Sequence, residues 1–246
     1  MTTPISDPTA SPTAPPTAPM GVRLAGAPLS PAIMVVAVVL HALALAALWQ
    51  PFELWFLGVM GAFYAWFGLS VTLYMHRCVA HKGLLLAAPL RVFFALGAAA
   101  GLSGDPAFWV AMHRKHHATT DLPGDPHSPR QGAFQAHMGW VLRLNRSYRE
   151  ELRALSNDVR EEPICRWLEP TPAYVGTHLA VAAAVYAGLG LPGLLWGLYV
   201  PLVVNMHACV TYSHLGGWYR MEEPEPTMPV KIVFIFWQAH LQAFFM

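Results

Sequence analysis

Three histidines, His113, His116 and His117, fall within five residues in W-V-A-M-H-R-K-H-H, residues 109–117. On a helix, positions i, i+3 and i+4 share one face. Three imidazoles on one face pack poorly in a core and ligate metal well, since neutral imidazole is the commonest protein metal ligand and suits iron, zinc or copper. A second pair, His76 and His81, lies upstream in H-R-C-V-A-H. A solvated polar helix end would account for one such cluster; two point to a metal centre. Five to six histidines exceed a single zinc site, which takes four ligands, so two metals are expected. Carboxylates are scarce nearby, unlike the Glu and Glu-x-x-His sites of soluble di-iron bundles. A redox metal beside lipid suggests oxidation of an unactivated chain by dioxygen.

Composition places this chemistry in a membrane. Of 246 residues, 55% are hydrophobic and 12% charged, and the mean hydropathy is +0.39; a soluble domain carries about 25% charged residues. A formal net charge of +1, with no basic cluster interleaved with aromatics, argues against a nucleic-acid partner. Cys78, Cys165 and Cys209 are scattered and form no C-x-x-C. They read as small apolar fillers, not as a disulfide framework or a thiolate site.

The elements that must position the histidines follow from the apolar runs. Residues 1–30 are rich in Pro, Thr, Ala and Ser, cannot bury a core, and are expected to be disordered. For 31–220 the expected fold is all-α and integral to the membrane. Runs at 30–49, 52–74, 173–191 and 194–213 are long enough for the bilayer core, which takes about 20 residues each. The links near Pro51 and Pro192 are short, so four transmembrane helices pair as two hairpins. His41 lies inside the first run and reads as packed or interfacial. A further run, 84–102, is interrupted by Pro89 and Arg91. It reads as two half-inserted helices, because a full crossing would put His76 and His81 on the opposite face from the 113–117 cluster. The polar centre, 118–172, contains D-P-H-S-P (125–129) and H-M-G-W (137–140). Twelve of the fifteen Lys and Arg lie between Arg77 and Arg166. The positive-inside rule then puts both termini and a histidine-rich cap in the cytosol.

These residues carry a family resemblance. H-R-C-V-A-H (76–81) resembles the first histidine box of membrane fatty acid desaturases, H-x(4)-H, and H-R-K-H-H (113–117) matches their second, H-R-x-H-H. D-P-H-S-P and H-M-G-W follow as in the acyl-CoA (delta-9, stearoyl-type) branch. The resemblance runs from about Phe52 to Arg220. It implies a di-iron centre that uses dioxygen to remove two hydrogens from adjacent carbons of an acyl chain, giving a cis double bond. It also implies that His76, His81, His113, His116 and His117 are iron ligands. His214, in S-H-L-G-G-W-Y-R, imperfectly matches the family's additional histidine, and His207 is the alternative. Asp121 and Asp125 are candidates to accept ring N–H bonds, or are caps and turn residues. Arg77 and Arg114 pair with carboxylates or with a thioester head group, or snorkel to the interface. Trp109 resembles a family aromatic near the bend of the acyl tunnel, with an ordinary interfacial tryptophan as the competing reading. The implied partners are an acyl-CoA or acyl-lipid substrate, membrane lipid, and an electron donor, either a cytochrome b5-like protein or a ferredoxin with its reductase.

The family's third box, H-x-x-H-H, is not found. After Arg220 only His240 remains, in an apolar run, and the segment 221–246 reads as divergent, truncated or frame-shifted. An impaired desaturase, a non-catalytic desaturase-like membrane protein and a related histidine-box hydroxylase are therefore all open on sequence.

Overall fold

The computed structural model describes residues 24, 26–120, 122 and 124–208. His214, His240, Asp121, Cys209 and the segment 221–246 lie outside the described residues, as does most of the 1–30 tail. The described chain is helical throughout its regular elements.

Helix α1 (Pro31–Trp49) starts where sequence chemistry places a start. Ser30 accepts the N–H of Ile33 on its hydroxyl, and Pro31 occupies the first turn, where no N–H is needed. Helix α2 (Phe56–Ala80) follows after a short link. Helix α3 (Ala88–Ala100) is a single helix, not two: Pro89 sits in its first turn and starts it. At about 1.5 Å per residue, its 13 residues reach about 20 Å, too short for a hydrocarbon core about 30 Å thick. Then come α4 (Pro106–Thr119), α5 (Arg146–Leu152), α6 (Pro163–Leu168) and the long element α7 (Thr171–Ala208).

Among the described residues, three helices are long and apolar enough to cross a membrane: α1, α2 and α7. The two C-terminal runs expected from sequence are joined in α7, which has 38 residues and is not straight. Gly190 takes φ 66° and ψ −170°, a conformation open essentially to glycine, with Pro192 close behind. The chain doubles back there. The ring of Tyr199 lies 5.8 Å from that of His178, whereas a straight helix would hold the two residues about 30 Å apart.

One core gathers α2, α3, α4 and α6 around Tyr74, Met75, Ala98, Val110 and Leu168. A second joins α1, α2 and α7 around Phe67, Val185 and Leu198. Cys78 and Cys165 are buried in the first, as small fillers should be. The contact of α3 with α2 requires a bare backbone: a Cβ on Gly97 would lie 2.2 Å from Ser70 Oγ and 2.5 Å from Trp66 Nε1. Gly97→Ala is therefore expected to destabilise the fold by about 1–3 kcal/mol, the usual cost of overpacking. Thermal unfolding in detergent checks this, with Gly58→Ala, where a Cβ meets nothing within 4 Å, as the control.

Candidate metal centre

The last part of α2, Ser70–Ala80, is wound as a π-helix. Backbone bonds there reach five residues back, and the N–H of His81 meets the carbonyl of His76 at 3.0 Å. This winding gives H-x(4)-H its meaning. On an α-helix, residues five apart point about 140° away from each other. In π winding, five residues close roughly one turn. The rings of His76 and His81 thus stand on one side of the helix, with centroids 4.6 Å apart.

Helix α4 brings the second box. Asp105 caps it by accepting the N–H of Phe108 at 2.9 Å and pairs with Arg149. From this anchored start, His113 and His117 stand one turn apart on the face toward His76 and His81. Nε2 of His113 lies 2.9 Å from Nε2 of His81 and 3.0 Å from Nε2 of His117. Ligand atoms of His76, His81, His113 and His117 all fall within 4.8 Å of one another. A neutral Nε2 offers either one proton or one lone pair, so hydrogen bonding cannot serve two imidazole nitrogens equally at His113. A shared metal can. Trp109 stacks on His113, centroids 5.0 Å apart and planes at 16°, and forms one wall of the cluster. His81 and His117 are exposed and His76 and His113 half-buried, so the cluster opens outward.

His116 faces elsewhere. Its Nδ1 lies 2.9 Å from Oδ1 of Asp125, which is buried and also accepts the backbone N–H of His127 at 3.2 Å. An ionised carboxylate only accepts, so Nδ1 of His116 carries the proton and Nε2 keeps the lone pair that a metal needs. His116, Asp125 and His127 form a second group with ligand atoms within 4.8 Å. The hydrogen bond to Asp125 accounts for its shortest contact without a metal. Arg114 pairs with a carboxylate, Asp158, at 2.7 Å.

A third set was not legible in the sequence. His207 meets His41 and His137, each through a nitrogen pair 2.9 Å apart. Here the contacts form a string. Nδ1 of His41 lies 2.7 Å from the carbonyl of Ala37 and donates to it. Nε2 of His41 then accepts from Nε2 of His207, and Nδ1 of His207 accepts from Nε2 of His137. With neutral rings every bond has one proton, so hydrogen bonding explains this set as it cannot explain the box cluster. The signal available in sequence was His41 itself: an imidazole inside a lipid-spanning run is expensive and calls for a partner.

The donor set of the box cluster, all imidazole and opening outward, is what a first-row transition metal takes. Histidines from the end of α2, a helix long and apolar enough to cross a membrane, and from α4 together form a donor set that could hold a metal ion. The comparisons narrow that reading. The description "Fatty acid desaturase" matches residues 53–232, well over half of the chain and past Arg220, where the resemblance was expected to end. This chain belongs to the fatty acid desaturase family. It is 37% identical over 180 residues to the icosanoyl-CoA 5-desaturase of Limnanthes douglasii, covering 71% of this chain and 49% of that protein. It is 37% identical over 141 residues to the chloroplastic palmitoyl-monogalactosyldiacylglycerol delta-7 desaturase of Arabidopsis thaliana, covering 56% and 37%. To the sn-1 stearoyl-lipid 9-desaturase of Synechocystis sp. it is 26% identical over 140 residues, covering 57% and 43%. The chain thus spans about half the length, or less, of these curated relatives.

His113→Ala should cut the metal held by the detergent-purified chain at least about tenfold, while His207→Ala leaves it near the wild-type level; metal analysis of the two variants decides. The lowered affinity of the His113 and His127 rings for protons makes stability depend on pH. Burial, then the neighbouring imidazoles, push His113 down to about 2, and burial with His116 pushes His127 down to about 4, against an ordinary 6.5. Above about 6.5 neither the folded nor the unfolded chain is protonated at these rings, and stability is flat. Below it the unfolded chain binds protons that the folded chain refuses, so stability falls with pH towards those lowered values. Denaturant midpoints of the metal-free chain should be lower at about pH 5.5 than at about pH 7.5.

Proposed function

We propose that this chain is, or forms part of, an oxygen-dependent fatty acyl desaturase acting on an acyl-CoA or acyl-lipid. What carries the reading is the convergence of His76 and His81 from the first box with His113 and His117 from the second. The activities for which these relatives are named, on icosanoyl-CoA and on lipid-bound palmitoyl and stearoyl chains, support this substrate class. The reaction removes two hydrogens from adjacent CH2 groups; with dioxygen, two electrons from a donor and two protons it yields a cis double bond and two waters. Two irons bound at the histidines would supply the activation of dioxygen. The rest falls to the chain.

Neutral imidazoles are the ligating form, and burial keeps His113 in it. His214 is retained as a ligand in this proposal, and Asp125 fixes the tautomer of His116. Trp109, stacked on His113, is the residue proposed to line the path of the acyl chain. The basic centre of the chain offers a surface for an acidic electron donor, a cytochrome b5-like protein or a ferredoxin. The two arms of α7 on either side of Gly190 have about 19 and 18 described residues, each close to the length of one crossing. Those lengths, with α1 and α2, support a reading of four crossings in two hairpins, and the Lys and Arg distribution supports a cytosolic side for the termini and the histidine cap.

The test is expression of the chain in a host that lacks its own desaturase, followed by mass spectrometry of the acyl methyl esters. A new cis-monounsaturated chain that disappears in His113→Ala is expected. A hydroxylated product would reassign the chemistry, and unchanged acyl chains would sink the proposal.

A further inference from the structure

The two boxes reach the cluster from different helices, and one carboxylate outside the cluster ties them together. Asp158 lies in a short helical turn, Asp158–Glu161, between α5 and α6. Its Oδ1 and Oδ2 accept Nη1 and Nη2 of Arg114 at 2.7 and 3.0 Å, a two-pronged fork. Oδ2 also receives Nζ of Lys82 at 2.9 Å. Arg114 directly follows His113, and Lys82 directly follows His81. The arginine reaches further: Nη1 donates to the carbonyl of Leu155 at 2.8 Å, and Nη2 lies 3.4 and 3.5 Å from the carbonyls of Ala80 and Val79. Those carbonyls belong to the last two residues before His81. Lys82 itself has φ +54°, left-handed backbone in a residue that carries a Cβ, a conformation that persists only where surrounding contacts hold it.

We propose that Asp158 is a positioning residue of the metal centre: its carboxylate clamps Lys82 and Arg114, and so sets the distance between the first and second boxes. The inference rests on the reading that the four histidines bind metal. An isolated exposed ion pair is worth little. This one differs in that a fork-shaped pair and a second cation share one carboxylate, and both cations sit one residue from a box histidine. Without the negative charge, Lys82 and Arg114 become two like charges directed at one place. The clamp then pushes the boxes apart.

The experiment measures release of cobalt(II) from the loaded full-length chain to a chelator, and the visible bands of the bound cobalt, which report ligand geometry. Asp158→Asn should release metal about tenfold faster and shift the bands, with unchanged helix content by circular dichroism. Asp158→Glu, which keeps the charge, should recover most of the loss. Lys82→Met, which leaves the Arg114 fork intact and so keeps the test available if Asp158→Asn does not fold, should release metal about threefold faster. Wild-type release and bands in Asp158→Asn, or in Lys82→Met where the former does not fold, would overturn the clamp. So would an Asp158→Glu as defective as Asp158→Asn. A wild-type chain that takes up no cobalt sinks the metal reading of the histidines; one that does, beside indifferent variants, sinks the clamp alone.

Discussion

Two imidazoles five residues apart can meet only if the backbone between them abandons α-helical winding, and much of the site depends on that concession. The π turns of Ser70–Ala80 are less well packed along their own axis than an α-helix, so something outside must hold them. What holds them is the first core. Val71, Tyr74, Met75, Cys78 and Val79 are all buried against α3, α4 and α6, and burying a large apolar side chain contributes about 1.5–3 kcal/mol. The inward face of the segment is thus fixed by packing, which leaves the outward register to His76 and to His81 just past its end.

The histidines among the described residues illustrate how proton count sorts one residue type into different tasks. Where several lone pairs converge on one point, as at His113, protons cannot satisfy them and a cation is the natural partner. Where a carboxylate takes one nitrogen, as Asp125 does for His116, the tautomer is decided and the other nitrogen is presented. Where each nitrogen has a single opposite number, as along His137, His207 and His41, the rings satisfy one another. His178 is a fourth case, buried in α7 with Nδ1 donating to the carbonyl of Ala100 at 2.7 Å.

What the sequence disclosed and what it hid divide along the same physical line. The second box was legible because α4 keeps the period that a sequence reader assumes, so the i and i+4 positions His113 and His117 lie together as spacing implies. His116 was grouped with them on the same grounds, yet its ring turns to Asp125, a preference set by a buried partner nine residues on. The first box was recognisable as a pattern, but its geometry was not, since α periodicity predicts divergence for H-x(4)-H. The pairings of His41 with His207 and of His137 with His207 span 166 and 70 residues, beyond the reach of any periodicity. Pro89 starts α3 instead of interrupting it, because a proline in the first turn gives up an N–H that has no partner within the helix.

The hinge at Gly190 bears on the order of events as the chain folds. With no loop to speak of between the arms of α7, the search that brings Tyr199 to His178 is short. Closure entropy grows with the length of flexible chain between partners, and here both partners ride on stiff rods that share one pivot. The pairing of α1 with the far arm, seen in His41 against His207, must instead close most of the chain. Contacts of small sequence separation form fastest, which favours assembly of the folded-back arm ahead of its pairing with the first helix.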